Sequence, residues 1–443
     1  MSRTDHAPWR SVLGAGALAA LLALGACGDR GAPAPAAPAA ESAIEAAPSA
    51  RGLEASAVAR LDETLAALAA SQDRSGYVAV IARDGVVQHV SEAGYADVDA
   101  GAPMRADTVV RIASMSKPVT AAAILMLAED GLLSVSDPVS DYIPAFADAR
   151  VATQLMHDET FEIPTAPLVR PITIEDLLTH TSGVGYLFDY QTHLGALYID
   201  RDIYRADGQS LEDRINTLAG LPLYFQPGER WFYSYSNDIL GQVIAAASGQ
   251  SVEAFMQARI FGPLGMADTS FFPTDAHRER LAALYTHDEG GALVHVARQR
   301  DLAMLAQVEA GGAGLFSTAN DYLRFAQMLA NGGELDGVRV MSQDSVAAMV
   351  TPHVGLDRMG EDQRRIGLAF GYSVGVSVNE NGGRRTGDFG WGGYFDTAFV
   401  VSPSTGLVAV IMAQEEPGPG TRDTTSASAV LQGQLAGLVP AES

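Results

Sequence analysis

Residues 111–127 read RIASMSKPVTAAAILML, and this stretch predicts a reaction centre at the start of a buried helix. Ser114 and Lys117 stand three positions apart, so on a helix their side chains share one face within hydrogen-bonding reach. The apolar run that follows predicts a helix over residues 114–129 whose body lies in the core. A hydroxyl in the first helical turn faces backbone N–H groups, which stabilise developing negative charge. The stretch therefore predicts a serine nucleophile with an amine beside it.

Lys117 is the only lysine among the 29 lysines and arginines of the chain. An amine can be deprotonated near neutral pH where its surroundings lower its pKa, whereas a guanidinium cannot. A single lysine next to Ser114 therefore indicates a proton acceptor for the serine hydroxyl. The alternative is a residue left over from a compositional bias towards arginine.

The composition describes a large acidic globular protein. The chain has 443 residues, 47% of them hydrophobic, and a formal net charge of −24. Such a surface repels phosphate backbones and favours solubility, so we expect no nucleic-acid partner. No group of histidines and carboxylates has metal-ligand spacing, and we predict neither a metal nor another cofactor. The oligomeric state does not follow from these features.

The first 50 residues have the composition of an export signal and a tether. Residues 1–26 contain arginines followed by an apolar stretch too short to span a bilayer comfortably, which is typical of a signal peptide. This stretch runs into Leu-Gly-Ala-Cys27, which resembles a bacterial lipobox, and Cys27 is the single cysteine. Residues 27–50 are rich in Ala and Pro and predict a tether. We expect a lipid-anchored protein of the bacterial cell envelope that faces the periplasm; the alternative is a secretory peptide with an incidental cysteine.

Strand patterns near both ends of the chain and helical patterns between them predict an α+β fold. Short β runs flank Asp84-Gly85, which is a strong hairpin signal, and a second hairpin is predicted to turn at residues 403–406. We predict one domain over residues 51–443, built as an α/β sandwich: an antiparallel sheet flanked by helices. A mostly helical insertion is expected at about residues 148–310.

A second candidate motif is Tyr235-Ser236-Asn237. A phenol beside an amine can take up and return protons, and the Asn237 amide can hold the lysine or a substrate carbonyl. Tyr233 precedes Tyr235 by two positions and falls on the same side of an extended segment, so it is the alternative to Tyr235. A buried aromatic residue with a polar cap is the structural alternative for the motif.

A third candidate motif is Trp391-Gly392-Gly393, which precedes a predicted strand. Small residues at a strand edge let a substrate lie along the backbone and let a main-chain N–H join an oxyanion hole. A glycine-rich turn without chemistry is the alternative.

Two other residues invite a catalytic interpretation that the sequence disfavours. Residues 371–375 read GYSVG, the pattern of a nucleophile elbow, but the last histidine of the chain, His353, precedes them and the pattern after them is that of a strand. We therefore predict that Ser373 is a strand residue. His180 in LLTHTSG is expected at a helix end, bonded to loop backbone rather than acting as a base.

The three motifs, with the phrases around them, resemble the serine β-lactamase-like superfamily: class C β-lactamases, DD-peptidases and above all family VIII carboxylesterases. The similar phrases span the folded part and include ITIEDLLTHTSGVGY at 172–186, FQPGERWFYSYSNDILG at 225–241 and GGAGLFSTANDYLRFAQML at 311–329. The resemblance implies a β-lactamase/DD-peptidase-like fold.

The resemblance also implies roles for the motif residues. Ser114 would be acylated, Lys117 and Tyr235 would transfer protons, and Asn237 would assist. The main-chain N–H groups of Ser114 and Tyr394 would form the oxyanion hole. Which of the amine and the phenol accepts the proton during acylation is left open.

One departure from the class C β-lactamases concerns the substrate. Those enzymes have Lys-Thr-Gly where this chain has Trp391-Gly392-Gly393, and no second lysine exists here. The site is closer to esterases that carry Trp-Gly-Gly, and an aromatic wall favours neutral groups. We expect a carboxylesterase for short-chain esters. The alternatives are a β-lactamase or D-Ala peptidase-type amide hydrolase, favoured if Arg384 or Arg385 points inward, an acyltransferase, or a penicillin-recognising lipoprotein without turnover.

Overall fold

The computed structural model describes residues 52–157, 162–204, 208–296, 308–418 and 426–439. The predicted signal peptide, the predicted lipidation point Cys27 and the tether over residues 27–50 lie outside the described residues and stay predictions. In the described part of the chain, no helix is both long enough and apolar enough to cross a membrane.

The strands are short except in the central sheet. In chain order they are β1 Gly76–Arg83, β2 Val86–Asp97, β3 Ala102–Pro103, β4 Val110–Arg111, β5 Arg150–Ala152, β6 Thr165–Pro167, β7 Tyr285–His287, β8 Leu293–His295, β9 Phe316–Ser317, β10 Glu334–Leu335, β11 Val338–Arg339, β12 Leu368–Phe370, β13 Gly375–Ser377, β14 Phe389–Gly393, β15 Thr397–Ser402 and β16 Leu407–Met412.

The helices fall before, between and after these strands. They are α1 Ala55–Ala70, α2 Ser116–Glu129, α3 Ile174–Leu178, α4 His193–Asp200, α5 Leu211–Ala219, α6 Ser236–Ser248, α7 Val252–Met256, α8 Gly262–Leu264, α9 Asp275–Glu279, α10 Ala319–Ala330, α11 Gln343–Val350, α12 Glu361–Arg365 and α13 Ala427–Leu438. Between α7 and α8 the chain forms a π-helical turn over Gln257–Phe261.

An antiparallel sheet of eight strands, in the order β12-β13-β14-β15-β16-β1-β2-β3, joins the two ends of the folded chain. The central register pairs Val80 of β1 with Val410 of β16 on one side and with Val90 of β2 on the other. Because all residues of β1 and β16 are buried, the middle of the sheet is covered on both faces. The predicted α+β fold with an antiparallel sheet is confirmed, as is the hairpin at Asp84-Gly85.

Alternate residues of the central strands enter two separate cores, because successive side chains of a strand point to opposite faces. Val78 and Val80 belong to the larger core, which includes α2, α6 and α10. Tyr77 and Ile81 belong to the smaller core, which the terminal helices α1 and α13 cover. The sheet is therefore the middle layer of three.

The segment between the two groups of strands carries α3 to α9. It also contains two small antiparallel pairs, β5 with β6 and β7 with β8. The bounds of the helical insertion, about residues 148–310, stay a prediction. Helices α2 and α6 pack against each other, which brings the Ser114 motif and the Tyr235 motif together across the boundary of the insertion.

Candidate active site

Ser114 lies in a short 3-10 helix, Ala113–Met115, that directly precedes α2. The α-helix therefore begins at Ser116, two residues later than the sequence predicts. Ala113 has a φ of +44°, a left-handed conformation that costs free energy for a residue with a Cβ atom. Neighbouring elements hold this turn, since Tyr322 donates to the Met115 carbonyl at 2.8 Å and Ser116 Oγ accepts from the Leu315 N–H.

Lys117 is fully buried, and its Nζ atom contacts the nucleophile. Nζ donates to Ser114 Oγ at 3.2 Å and to the Gly312 carbonyl at 2.7 Å. It also lies 4.6 Å from the centre of the Tyr233 ring and 5.7 Å from that of Tyr186. In the described chain no ion pair within 4.0 Å involves Lys117, so hydrogen bonds and aromatic faces surround the amine.

Two tyrosines flank the start of α6. Tyr235 is buried as the residue before the helix, with its ring 4.5 Å from that of Tyr186. Tyr233 has its ring against Lys117, and its hydroxyl accepts a long hydrogen bond of 3.4 Å from Trp391 Nε1. The extended segment thus brings both tyrosines into the cluster, as the two-residue spacing predicts, and the Tyr233 ring packs against the amine. The catalytic role of Tyr235 stays a prediction.

Asn237 contacts the main chain of Lys117 rather than its amine. Its Nδ2 atom donates to the Lys117 carbonyl at 3.3 Å and to Ser373 Oγ at 2.8 Å. Asn237 is fully buried, and its Oδ1 atom has no hydrogen-bond partner among the described residues. The amide therefore connects the start of α2 with the segment before β13.

The prediction that Ser373 is a strand residue is wrong. Ser373 lies in the bend between β12 and β13 with a φ of +59°, is fully buried, and donates to the Leu178 carbonyl at 3.3 Å. The tight reversal between two three-residue strands leaves no room for Ser373 in either ladder. No helix follows it, so the geometry of a nucleophile elbow is absent at this described position.

His180 follows α3, at a helix end as predicted, but its ring is not bonded to loop backbone. Its Nδ1 atom shares a hydrogen bond of 2.9 Å with Ser234 Oγ, because the segment before α6 packs directly on this loop. Burial, and then the charge of Lys117, lower the pKa of His180 well below its ordinary value. His180 is therefore a neutral side chain that packs 4.8 Å from the Tyr233 ring.

Asp238 is a site residue that the sequence analysis missed. It is fully buried and accepts hydrogen bonds from the Gly312 N–H at 2.8 Å and from the Tyr204 hydroxyl at 3.0 Å. Burial raises the pKa of Asp238 to about 6, although the charge of Lys117 and these hydrogen bonds oppose the rise. The available signal was its place in the first turn of the helix that begins with Ser236-Asn237.

The end of β14 approaches the nucleophile turn closely. A Cβ atom on Gly393 would lie 2.3 Å from the Ile112 carbonyl oxygen, so only glycine fits there, whereas one on Gly392 would lie 3.2 Å from its nearest neighbour. Tyr394 follows directly and lines the same cavity as Ser114. The arrangement is compatible with the predicted oxyanion hole, whose formation by these N–H groups stays a prediction.

Trp391 and Arg384 lie outside the lining of the cavity at Ser114. The Trp391 ring packs 5.2 Å from Phe370 and 5.9 Å from Tyr233, so it supports the tyrosine from behind. Burial lowers the pKa of Arg384 despite the opposing effect of Asp388, and neither Arg384 nor Arg385 lines the cavity at Ser114. The aromatic wall of the cavity is made by other residues.

A cavity of about 360 Å³ opens at Ser114. Most of its lining is apolar, with half-exposed Phe188 and Tyr394 forming a stacked pair whose ring centres are 6.3 Å apart. The lining residues are Arg111, Ala113, Ser114, Tyr186, Leu187, Phe188, Asp202, Tyr204, Val308, Ala310, Ala313, Gly314, Leu315, Phe316, Tyr394, Phe395 and Glu416. Such walls suit a small neutral organic group.

The described ranges hold no group of three or more His, Cys, Asp or Glu side chains arranged to bind a metal ion. The polar groups beside the nucleophile are the Lys117 amine and phenols, and the charged residues of the cavity lining are Arg111, Asp202 and Glu416. A serine hydroxyl bonded to a buried amine beside a largely apolar cavity is an arrangement that serine hydrolases use.

The Beta-lactamase family pattern matches residues 61–434, and the chain belongs to this family of serine hydrolases. The chain is 36% identical over 360 residues to Protein Rv1367c of Mycobacterium tuberculosis, covering 77% of this chain and 86% of that protein. It is 33% identical over 393 residues to Esterase EstB of Burkholderia gladioli, covering 82% and 92%. The solved structure of EstCE1, a hydrolase with promiscuous acyltransferase activity, matches with a TM-score of 0.69 at 24% identity, covering 86% of this chain and 99% of that one.

Proposed function

We propose that the protein is a carboxylesterase that hydrolyses short-chain esters through an acyl-enzyme on Ser114. The observation that carries the proposal is the buried contact of 3.2 Å between Lys117 Nζ and Ser114 Oγ. An amine can exchange a proton with a hydroxyl that it contacts, whereas a guanidinium stays charged. Lys117 is therefore placed to accept the Ser114 proton.

The reaction has two halves. Ser114 Oγ attacks the ester carbonyl carbon while its proton passes to Lys117 Nζ, directly or through a tyrosine hydroxyl. The bond between the acyl carbon and the alcohol oxygen breaks, and that oxygen takes the proton as the alcohol leaves. Water then attacks the acyl carbon, its proton passes to the base and on to Ser114 Oγ, and the carboxylic acid is released.

The lining of the cavity favours neutral esters over anionic amides. Its walls are mainly aromatic and aliphatic, and the class C lysine that binds the β-lactam carboxylate is replaced by Trp391. The likeness to Esterase EstB supports the same preference. Hydrolysis of β-lactams or D-Ala peptides and acyl transfer to an alcohol use the same nucleophile and are the competing outcomes of the test.

The test compares two serine variants of the chain lacking residues 1–50. Ser114→Ala should lower hydrolysis of p-nitrophenyl butyrate by about 10⁴-fold or more, because no covalent intermediate can form. Ser404→Ala, at an exposed position in the turn between β15 and β16, is the control and should retain most of the activity. Nitrocefin turnover equal to ester turnover would replace the proposal with a β-lactamase, and an active Ser114→Ala variant would refute it.

A further inference from the structure

Asp238 is a buried carboxylate to which the proposed reaction assigns no role. Both of its oxygens are engaged, Oδ1 by the Gly312 N–H at 2.8 Å and Oδ2 by the Tyr204 hydroxyl at 3.0 Å. Tyr204 also shares a hydrogen bond of 3.1 Å with Tyr186, and both phenols border the cavity. Burying a carboxylate costs free energy, so a buried carboxylate beside the reaction centre indicates a functional role.

The turn at Gly311-Gly312, which Asp238 contacts, lies very close to α2 and α6. A Cβ atom on Gly312 would lie 2.4 Å from Asp238 Oδ2, and one on Gly311 would lie 2.5 Å from the Asn237 carbonyl oxygen. Thr120 of α2 donates to the Gly311 carbonyl at 2.8 Å. The two glycines are therefore clamped between α2 and α6.

The same turn accepts the shorter of the two hydrogen bonds that Lys117 Nζ donates. The Gly312 carbonyl accepts from Nζ at 2.7 Å, which is shorter than the 3.2 Å between Nζ and Ser114 Oγ. The position of this carbonyl is set by the hydrogen bond that the Gly312 N–H makes to Asp238. A continuous path of hydrogen bonds thus runs from the carboxylate through one residue to the amine.

We propose that Asp238 is a positioning residue for the Ser114–Lys117 pair: it fixes the Gly312 carbonyl that orients the amine, and its charge balances the ammonium formed when the amine takes the serine proton. The inference rests on the proposed acyl-enzyme reaction. The titratable groups facing Asp238 are Lys117 on α2, and Tyr186 and Tyr204 on the cavity wall.

The experiment measures how fast a fluorophosphonate labels Ser114 as a function of pH, which reports activation of the nucleophile without ester turnover. Asp238→Ala removes the acceptor for the Gly312 N–H and should slow labelling by about 10²-fold, the cost of a misplaced reacting group. Asp238→Asn keeps an acceptor of the same shape but removes the charge. The acidic limb of the pH profile of labelling should therefore lie about 1 unit lower in Asp238→Asn than in the wild type, because the ammonium form loses a counter-charge.

Asp321 provides the matched control. It is also buried, accepts hydrogen bonds from the Asp268 N–H and the Thr269 hydroxyl, and has a pKa raised by burial to about 6. Asp321→Asn should change thermal stability without moving the pH limb. If Asp238→Ala does not fold, the proposal is tested by the acidic limb of the labelling profile of Asp238→Asn alone.

Labelling of Asp238→Asn with the pH limb of the wild type would overturn the proposal, as would Asp238→Ala reacting within about threefold of Asp321→Asn. Absence of labelling in the wild-type protein would instead count against the acyl-enzyme function itself. The two failures are therefore distinguishable.

Discussion

At the scale of single residues, the site depends on how an amine is kept available inside a protein core. Lys117 makes hydrogen bonds to a hydroxyl and a carbonyl, and two tyrosine rings cover it. This environment provides hydrogen bonds to the amine without an ion pair in direct contact, as the proposed exchange of a proton with Ser114 requires. Arginine at this position would stay charged throughout.

The first prediction separates the two tyrosines. Tyr235 is fully buried at the start of α6 and is the phenol that the motif assigns to proton transfer, so Tyr235→Phe should lower kcat by about 10²-fold or more, the usual contribution of a positioned acid or base. Tyr233→Phe keeps the ring whose centre lies 4.6 Å from Nζ, so it should cost about tenfold less. Both variants keep the ring and its packing, and kcat for p-nitrophenyl butyrate is the measurement. A larger loss in Tyr233→Phe would contradict the assignment that the sequence motif implies.

At the scale of elements, the site depends on where one strand ends and one helix begins. The 3-10 turn Ala113–Met115 places Ser114 just before α2, and the end of β14 packs on the carbonyl of Ile112. Thr397 of the neighbouring strand donates to the same carbonyl at 3.3 Å. These contacts therefore connect the strand end to the nucleophile turn.

The second prediction tests this contact. In Gly393→Ala the new Cβ would meet the Ile112 oxygen and Thr397 Oγ1, each at 2.3 Å, so the strand end must shift and carry the Tyr394 main chain with it. We expect kcat to fall by about 10²-fold, comparable to the loss of one oxyanion-hole donor. Gly433→Ala in α13, where nothing lies within 4 Å, is the control. Unchanged kcat in Gly393→Ala would show that Tyr394 lies outside the oxyanion hole.

At the scale of the whole molecule, buried acids link stability to pH. Burial, together with the nearby carboxylate of Asp396, raises the pKa of Glu415 to about 8 against the opposing charge of Arg74. Burial also raises the pKa values of Asp238 and Asp321 to about 6. An acid with a raised pKa binds its proton more tightly in the folded state, so folding is penalised increasingly as pH rises above the pKa of the unfolded chain.

The third prediction follows from this sign. Between pH 6 and pH 9 the free energy of unfolding should decrease, because over this range Glu415 loses in the folded state a proton that the unfolded state has already released. Urea denaturation at the two pH values measures the decrease, and Glu415→Gln should reduce it. Glu279→Gln, at an exposed position, should leave it unchanged. Equal stability of the wild-type protein at both values would contradict the prediction.

The sequence by itself determined the features that depend on local spacing and composition. The three-residue step from Ser114 to Lys117, the Asp84-Gly85 hairpin and the α+β class could all be predicted, because turn chemistry and residue periodicity act over short distances. The pairing of strands from both ends was also predictable, because strand patterns lie near the two ends of the chain and helical patterns lie between them.

Only the tertiary structure decided which distant groups meet at Lys117. The contact of Tyr233 with the amine, the bond between Asn237 and Ser373 and the path from Asp238 through Gly312 join segments far apart in the chain. Such contacts depend on the packing of α2 against α6 and on glycines that admit close backbone approach, and no local pattern encodes either. The lone lysine and its serine are a property of the sequence; the hydrogen bonds and aromatic rings that surround the amine are a property of the fold.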